Sequence, residues 1–382
     1  MTDICHLPFF RLPREAEAIR PAVRAFVAEQ RKCGALGPPS EIGMRSDAAM
    51  TRQLASRGWI GMTWPTRYGG GAQSALSRYV VTEELVAAGV PVGSHWVADR
   101  QSGPLILRYG TEQQKQRYLP PICAGESFFC IGMSEPDSGS DLASLRATAK
   151  KVPGGWELSG QKIWTSRAHQ AHFMIALVRT AASAGRHDGL SQFIVDLAAP
   201  GITIRPIVNM VGQHDFNEVF MDAVFVPDDA LIGTAGSGWS QVGAELAYER
   251  SGPERWLSAF VLLSELIREL GGAAGAATSR EIGRIGAQLL TLRQMSISVA
   301  GSIDRGDTPA VEAAIIKDLG TRFEQNMIRT VRDIAARELE RGGSPPFRRL
   351  LHNALLWAPA FTIRGGTGEI MRGIIARGLG AR

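Results

Sequence analysis

The chain has 382 residues, of which 45% are hydrophobic and 21% are charged, and its formal net charge is +5. A chain of this length can bury a large core and suits two or three domains better than one. No run of five or more basic residues occurs, so we expect no nucleic-acid partner. The mild positive charge either attracts a polyanionic small molecule or only solvates the surface.

The N-terminal residues show no basic stretch followed by an apolar one, and no apolar run is long enough for a membrane span. We therefore expect neither a signal peptide nor a transmembrane helix. The cysteines are Cys5, Cys33, Cys123 and Cys130, and they form no CxxC pair and no cluster with histidine at metal-binding spacing. This cysteine usage predicts no metal site and is typical of a protein of the reducing cytoplasm.

The first third of the chain predicts helices. Apolar residues recur at helical spacing in Glu15–Arg31, and Tyr79–Ala88 has a similar pattern. A further helix is predicted over Thr111–Tyr118, because Thr111 is a suitable N-cap and the pair Pro120–Pro121 follows.

The pattern changes near Ser127 and stays changed to about Ile232. Short apolar runs alternate there with turns rich in glycine and proline, which predicts antiparallel β structure. The clearest runs are Phe173–Val178, Gln192–Leu197, Ile202–Ile207 and Glu218–Val226.

Helical periodicity returns at Trp239, with a break expected at Pro253. Two more helices are predicted over Ala310–Asn326 and Arg329–Leu339. The order of helices, strands and helices indicates an α+β chain with segregated blocks. We predict a helical domain over residues 1–126, a β domain over 127–232 and a helical bundle over 233–382.

Four segments resemble, in order, motifs of the acyl-CoA dehydrogenase family. They are Tyr109–Lys115, Met133–Asp141 (Met-Ser-Glu-Pro-Asp-Ser-Gly-Ser-Asp), Gly160–Ser166 (Gly-Gln-Lys-Ile-Trp-Thr-Ser) and Gly365–Ile370 with Ile374–Arg377. The resemblance covers nearly the whole chain. It implies a helical N-terminal domain, a middle antiparallel β-barrel-like domain and a C-terminal four-helix bundle, with FAD as the cofactor.

The first flavin motif is rich in small residues, which let a backbone approach a flat ring closely. The resemblance places Met133 and Ser134 against the isoalloxazine and ribityl part of FAD, with Gly139 in the same binding segment. It assigns Ser140 both to this segment and to the CoA thioester portion of the substrate. Taken without the family, the motif is also compatible with an ordinary polar turn.

The second flavin motif centres on Trp164, which the family stacks beside the flavin. Ser166 then forms a hydrogen bond to the flavin, and Thr165 belongs to the same cofactor-binding segment. An indole offers a large face that shields a ring from water. Without its motif, Trp164 would be interpreted as a core tryptophan, since the chain has eight.

Dehydrogenation needs a base for the α-proton of the thioester. Many family members carry a glutamate where this chain has Gly365, and a minority carry it just before an arginine on the first C-terminal helix. The sequence has Glu249 and Arg250 there, so we assign the base to Glu249. The alternative is a surface glutamate paired with Arg250 or Arg255.

The C-terminal motif supplies further contacts by resemblance. The backbone N–H of Gly365 and a flavin ribityl hydroxyl would stabilise the thioester oxygen as enolate character develops. Thr367 and Glu369 occupy positions that touch the FAD phosphates and adenosine. Arg250 lies at a family position for the acyl-CoA site, or it is simply an ion-pair partner.

Two family segments that complete a neighbour's FAD site are incomplete here. Arg268–Gly271 lacks the phenylalanine of Arg-x-x-Phe-Gly, and Arg341–Gly343 lacks the glutamine of Gln-x-x-Gly-Gly. Either the chain binds FAD by other contacts in a homo-oligomer, or a related subunit supplies the missing parts. Leu246–Trp256 resembles the catalytic subunit of bacterial heterotetrameric enzymes that act on steroid-derived acyl-CoAs, so we favour an α2β2 assembly.

The resemblance thus predicts α,β-dehydrogenation of an acyl-CoA, with a bulky or branched acyl group, in lipid β-oxidation or steroid degradation. Electrons would pass to an electron-transferring flavoprotein. Two alternatives remain open: a non-catalytic regulatory or structural subunit of such a complex, and a flavin-dependent acyl-CoA oxidase.

Overall fold

A computed structural model gives the fold of the chain. It describes the backbone alone over residues 244–249, and it describes in full residues 5, 7–42, 45–181, 185, 187–243 and 250–381. The chain divides into two units, each made of separate segments. Unit 1 comprises Met1–Ser46, Gln73–Val92 and Glu249–Arg382, and unit 2 comprises Asp47–Ala72 and Gly93–Tyr248. The three-domain division expected from the sequence stays a prediction.

Within the described residues the chain forms thirteen α-helices and seven β-strands. The helices are α1 (Arg14–Glu17), α2 (Arg20–Lys32), α3 (Ala48–Ala55), α4 (Ala75–Ala87), α5 (Gly93–Val97), α6 (Gly103–Tyr109), α7 (Glu112–Cys123), α8 (Gly238–Glu249), α9 (Phe260–Leu270), α10 (Ala276–Asp304), α11 (Ala310–Glu338), α12 (Pro345–Trp357) and α13 (Gly368–Gly378). The strands are β1 (Phe129–Gly132), β2 (Thr148–Val152), β3 (Gly155–Ser166), β4 (Phe173–Arg179), β5 (Leu190–Asp196), β6 (Ile202–Val208) and β7 (His214–Pro227).

Unit 2 is built around one sheet with the strand order β1-β4-β2-β3-β7-β6, and β5 pairs with β4. Alternate residues of these strands point into a common core that includes Met174, Phe193 and Val219, each fully buried. All four strands predicted from apolar runs are present, with ends shifted by a few residues. The middle β structure is therefore confirmed.

The sheet is not purely antiparallel, and this corrects the sequence prediction. β1 pairs with β4 in parallel over Phe129–Gly132, and β2 meets β4 in parallel at Thr148. Parallel neighbours need a long connection, and the hairpin of β2 and β3 lies between β1 and β4 in the chain. The alternation of apolar residues predicts a strand but does not specify the direction of its neighbour.

Helix α7 begins where the sequence predicts but ends later. Thr111 and Gln114 form a reciprocal capping box at its start, which confirms the predicted N-cap. The predicted stop before Pro120–Pro121 is wrong, because the helix continues to Cys123. Proline has a helix-compatible φ, and burial of Ile122 and Cys123 offsets the hydrogen bonds that the two prolines cannot donate.

Unit 1 is helical, and one apolar core joins its helices. Helix α11 runs for 29 residues and contacts α9, α10, α12 and α13. The predicted break between Asn326 and Arg329 is wrong. The intervening Met327 and Ile328 are buried and helical, and neither glycine nor proline interrupts them. Helix α10, also of 29 residues, was not predicted.

Pro253 separates α8 from α9, as expected. It begins a short 3₁₀ turn over Pro253–Arg255, between the end of α8 at Glu249 and the start of α9 at Phe260. Among the helices of the described residues, none combines the length and the hydrophobicity of a membrane span.

Candidate functional site

In unit 2 the segment Met133–Ser140 leaves strand β1 and forms a compact turn. Glu135 and Ser138 exchange backbone hydrogen bonds at 2.9 and 3.0 Å. Met133 and Ser134 are half-buried, whereas Gly139 and Ser140 are exposed. The turn therefore presents a small-residue surface to solvent, as binding of a flat ligand requires.

The two flavin motifs predicted from the sequence are neighbours in unit 2. The backbone N–H of Ile163 donates to the carbonyl oxygen of Ser134 at 2.9 Å. This bond places the segment after β1 beside Trp164 on β3. The structure thus brings Ser134 next to the segment that carries Trp164 and Ser166, from which it is far apart in sequence.

A buried ion pair fixes this arrangement, and sequence reasoning assigned it no role. The Nζ of Lys162, which is fully buried, donates to Glu135 at 2.8 Å and to the carbonyl oxygen of Met133 at 3.1 Å. Glu135 also accepts from the backbone N–H groups of Arg146 and Ala147, at 2.6 and 2.9 Å. The strand sequence around Lys162 is mixed polar and apolar, so no local pattern indicated that this lysine is buried.

Burial lowers the pKa of Lys162, and the charge of Glu135 opposes that shift. Burial would raise the pKa of Glu135, but the charge and hydrogen bond of Lys162 and the two backbone donors lower it overall. Each group therefore stabilises the ionised form of the other.

We expect Lys162→Met to lower the free energy of unfolding by about 3–5 kcal/mol, because it leaves the Glu135 carboxylate buried without its counterion. Chemical denaturation measures this change. The double variant Lys162→Met, Glu135→Gln removes the orphaned charge and keeps one of the two oxygens that accept from the backbone donors, so it should recover part of the loss. A double variant as unstable as the single one would contradict this explanation.

Trp164 occupies an unusual backbone conformation. The pairing of β3 with β7 passes from Lys162 opposite Val219 to Thr165 opposite Asn217, so β3 carries one extra residue at this bulge. The φ of Trp164 is +58°, and its side chain is 57% exposed although it is a large aromatic. The bulge therefore turns the indole out of the sheet.

The other two residues of the motif differ in accessibility. Thr165 is buried, and its hydroxyl has no hydrogen-bond partner within the described residues. Ser166 is half-buried. Of the three residues of this motif assigned to cofactor binding, Trp164 and Ser166 are therefore accessible to a ligand, and the assignment of Thr165 stays a prediction.

In unit 1 the loop around Gly365 is held from two sides. The φ angles of Gly365 and Gly366 are +67° and +106°, a region that favours glycine. Arg250 donates from Nε to the carbonyl oxygen of Gly365 at 3.0 Å. Lys317 donates from Nζ to the carbonyl oxygens of Thr362 and Gly366, at 2.7 and 2.5 Å. These bonds fix the Gly365 backbone, whose N–H is the predicted donor to the thioester.

The loop is also anchored by other polar residues on one face of α11, which the sequence analysis missed. Thr321 donates to the carbonyl oxygen of Phe361 at 3.3 Å. Glu324, fully buried, accepts from Arg364 at 2.5 Å and from the hydroxyl of Ser258 at 2.6 Å. Their spacing of three or four residues puts these α11 side chains on the face that carries Lys317.

Burial, together with the nearby charges of Arg255, Arg364 and Arg250, lowers the pKa of Lys317 to about 7, and Asp318 opposes the shift. A neutral amine still has two N–H donors, one for each carbonyl that Lys317 contacts. The contacts of this lysine with the loop are therefore compatible with either protonation state.

Thr367 and Glu369 lie at the start of α13. Thr367 is its N-cap and accepts from the backbone N–H of Ile370 at 3.3 Å. Glu369 is exposed, and hydrogen bonds from its own backbone N–H and from Thr367 lower its pKa. Backbone donors at a helix start suit an anionic ligand, whereas the ionised Glu369 does not attract phosphates. Their assignment to FAD stays a prediction.

The assignment of Glu249 as the base also stays a prediction. Glu249 is the last residue of α8, and its side chain lies outside the described residues. Arg250 follows it, is 7% exposed and contacts Gly365, which is compatible with a site role and with a purely structural one. No group of three or more His, Cys, Asp and Glu side chains among the described residues is arranged to hold a metal ion.

The residues of unit 2 fit a planar aromatic cofactor. An exposed indole held at positive φ, beside a turn of small residues, provides a face on which a flat ring can lie. Ser166, two residues further along the strand, is half-buried and so partly accessible to a ligand. Ser134 lies beside this strand, because its carbonyl oxygen accepts a hydrogen bond from the backbone N–H of Ile163. It therefore extends the surface beyond Trp164.

Comparisons with known proteins identify the family of the chain. Models of the N-terminal, middle and C-terminal domains of acyl-CoA dehydrogenase match residues 13–126, 130–224 and 236–380. The chain is 33% identical to the acyl-CoA dehydrogenase IpdE1 of Mycobacterium tuberculosis, over 86% of this chain and 86% of that protein. It is also 33% identical over 96% of its length to the acyl-CoA dehydrogenase FadE34 of that organism, and it spans 49% of the length of FadE34.

A solved structure named Tcur3481-Tcur3483 steroid ACAD matches with a TM-score of 0.84 at 27% identity, covering 97% of this chain and 99% of that chain. The chain therefore belongs to the acyl-CoA dehydrogenase family. Members of the family are flavoproteins with FAD as their cofactor. The fold class predicted from the sequence is confirmed.

Proposed function

We propose that the chain catalyses α,β-dehydrogenation of an acyl-CoA thioester to the 2,3-enoyl-CoA. The observation that carries this proposal is the Gly365 loop, which Arg250 and Lys317 hold at 2.5–3.0 Å through its carbonyl oxygens. With its carbonyls engaged and its φ in the left-handed region, the loop has a fixed backbone. A fixed backbone N–H can stabilise a developing enolate without reorganising during the reaction.

In this proposal Glu249 removes the α-proton and the N–H of Gly365 donates to the thioester oxygen. FAD, when bound, supplies the acceptor for the hydride that leaves the β-carbon. Trp164 and the Met133–Ser134 segment orient the flavin and exclude water from one of its faces, and Ser166 donates a hydrogen bond to it. Gly139 and Ser140 line the approach of the cofactor and the thioester.

We infer a bulky or branched acyl group, of the kind found in steroid degradation. The support is the likeness to a structure named as a steroid ACAD, together with the likeness of Leu246–Trp256 to steroid-type catalytic subunits. An electron-transferring flavoprotein is the expected electron acceptor. The cytoplasm remains the expected location, and the four free cysteines are compatible with it.

We also infer that a related subunit completes the FAD site, in an α2β2 assembly. The two segments that family members donate to a neighbour's FAD are adjacent in unit 1, and a carboxylate joins them. Glu269 accepts from the backbone N–H of Ser344 at 2.9 Å and from its hydroxyl at 2.5 Å. These hydrogen bonds lower the pKa of Glu269, so it is ionised and would repel a pyrophosphate.

We expect the chain, expressed and purified alone, to be folded but poor in flavin, because its surface around Glu269 cannot complete a neighbour's site. Its visible absorption spectrum measures the bound FAD. Co-expression with a related subunit should give a yellow complex with one FAD per unlike pair. A chain that binds near-stoichiometric FAD by itself would overturn the hetero-oligomer proposal.

The yellow complex also tests the reaction. Anaerobic addition of a bulky acyl-CoA should bleach the flavin absorption and yield the enoyl thioester. A complex that releases peroxide in air at the rate of turnover would be an oxidase. A complex whose flavin no acyl-CoA bleaches would contradict the enzymatic proposal and favour a regulatory or structural subunit.

A further inference from the structure

Two histidines of unit 2 form a stacked pair next to the bulge of Trp164. His169 lies in the 3₁₀ turn after β3, and His214 begins β7. Their ring centroids are 3.7 Å apart and the rings are inclined by 18°. His169 is exposed and His214 is half-buried, so protons from solvent reach the pair.

Both histidines meet the same buried amide. The Oδ1 of Asn217, which is fully buried, lies 2.7 Å from Nε2 of His214 and 3.2 Å from Nδ1 of His169. The Nδ2 of Asn217 donates to the carbonyl oxygen of Thr165 at 2.9 Å. That carbonyl accepts only, so it fixes which end of the amide faces the histidines.

The fixed amide also fixes the protonation of the rings. Because Asn217 presents an acceptor, each histidine must donate an N–H to it, from Nε2 of His214 and from Nδ1 of His169. The remaining nitrogen of each ring is then the one that takes up a proton. Two rings and one amide thus form a single hydrogen-bonded assembly behind Thr165.

The segment that this assembly holds is strained. Trp164 and Arg167 have φ angles of +58° and +55°, and neither is glycine. Such conformations persist only where neighbouring contacts impose them. Besides the bond from Asn217 to Thr165, the backbone N–H of Arg167 donates to the carbonyl oxygen of Asp215 at 2.7 Å. Strand β7 therefore holds the segment on both sides of Ser166.

We propose that Asn217, held by the His169–His214 pair, is a positioning residue that fixes Trp164 and Ser166 for contact with the flavin. The proposal rests on the proposed function, in which these two side chains orient FAD. Asn217 itself is buried behind Thr165 and touches neither the cofactor nor the substrate in this scheme.

The pair makes this positioning sensitive to pH. Burial and the nearby ring of His214 lower the pKa of His169, and its bond to Asn217 and the charge of Asp215 oppose the shift. A proton taken up by His169 puts a positive ring 3.7 Å from that of His214. The charged groups beside the pair are Asp215 and Arg167, whose Oδ1 and Nη2 atoms lie 3.8 Å apart, so their opposite charges largely offset each other at the rings. Uptake of this proton at acid pH is therefore expected to disturb the stacking that positions Asn217.

The test uses Asn217→Ala in the full chain, with Ser159→Ala as the matched control. Ser159 also joins β3 to β7, through a bond from the backbone N–H of Ala223 at 3.3 Å, but away from the bulge. Hydrogen exchange of residues 163–168 should be faster in Asn217→Ala and unchanged in the control. In the flavin-loaded complex, kcat should fall by roughly a hundredfold with a smaller change in KM, and the flavin absorption bands should shift.

Asn217→Asp gives a second measurement in case the alanine variant does not fold. It keeps an acceptor for both histidines and replaces the donor to Thr165 by an oxygen that faces the same carbonyl, so it should reproduce the faster exchange. The assignment is overturned if exchange, flavin spectrum and kcat of the Asn217 variants match those of Ser159→Ala.

His169→Gln tests the role of the pair, because glutamine can donate to Asn217 and does not titrate. The acid limb of the pH profile of kcat should move to lower pH in this variant, and an unmoved limb would remove the pair from the proposal. If no complex of the wild-type chain binds flavin, the proposed function fails, whereas hydrogen exchange still decides whether Asn217 holds the bulge.

Discussion

Replacing Glu249 by glutamine should reduce turnover of the acyl-CoA by roughly 10²- to 10⁴-fold, the usual contribution of a general base. Glutamine has nearly the same shape but cannot accept the α-proton. The flavin-loaded complex should keep its yellow colour, since the variant does not alter the predicted flavin contacts. Stopped-flow measurement of flavin bleaching separates the loss of proton abstraction from a loss of substrate binding.

Glu340→Gln is the control for this experiment. Glu340 is exposed in a 3₁₀ turn of unit 1, so the same chemical change there should leave bleaching unaltered. If Glu249→Gln bleaches its flavin at the wild-type rate, Glu249 is not the base. The Gly365 position cannot then supply one, because glycine has no side chain, and another carboxylate must be sought.

Lys317→Met should have the second largest effect, on stability and on activity together. The change leaves the part-buried carbonyl groups of Thr362 and Gly366 without their donor, at about 1 kcal/mol each in free energy of unfolding. Release of the loop should also displace the N–H of Gly365 and lower kcat by roughly a hundredfold. Denaturant unfolding and steady-state kinetics on the same preparation measure both changes.

The same variant should change how stability depends on pH. The pKa of Lys317 is about 7 in the folded chain against an ordinary value of 10.5, so between these values only the unfolded chain binds the extra proton. The free energy of unfolding therefore rises with pH in this window, by up to about 1.4 kcal/mol per pH unit. Lys317→Met should lack this rise.

Lys32→Met is the matched control for Lys317, since Lys32 is exposed in the last turn of α2 in the same unit. It should keep the wild-type stability, kinetics and pH dependence. A Lys317→Met variant that unfolds with the same pH dependence as this control would show that Lys317 is charged in the folded chain throughout the range.

Local patterns in the sequence were enough to predict much of the fold. The start of α7 was predictable, because the side chains of Thr111 and Gln114, three residues apart, accept hydrogen bonds from backbone N–H groups at the start of the helix. Strand β4 was predictable from its unbroken apolar run. The family resemblance did more, since it located Trp164 and Gly365 before any contact was known.

The parts that were missed depend on contacts between distant residues. Lys317 bonds to carbonyls of Thr362 and Gly366, and no local pattern indicates that a lysine in α11 is buried. The outward turn of Trp164 depends on an extra residue in β3 relative to β7, and no glycine marks its positive φ. The role proposed for Asn217 depends on its hydrogen bond to the carbonyl oxygen of Thr165, which lies on another strand.

The polar face of α11 has a consequence for how this protein can evolve. Lys317, Thr321 and Glu324 all hold the same loop and its neighbours, and a side chain at Gly320 would lie 2.5 Å from the carbonyl oxygen of Arg255. A rotation or shift of the helix that accommodates one substitution displaces all the other contacts. Substitutions on this face should therefore be strongly epistatic, so that sequence drift there proceeds through coordinated changes rather than single steps.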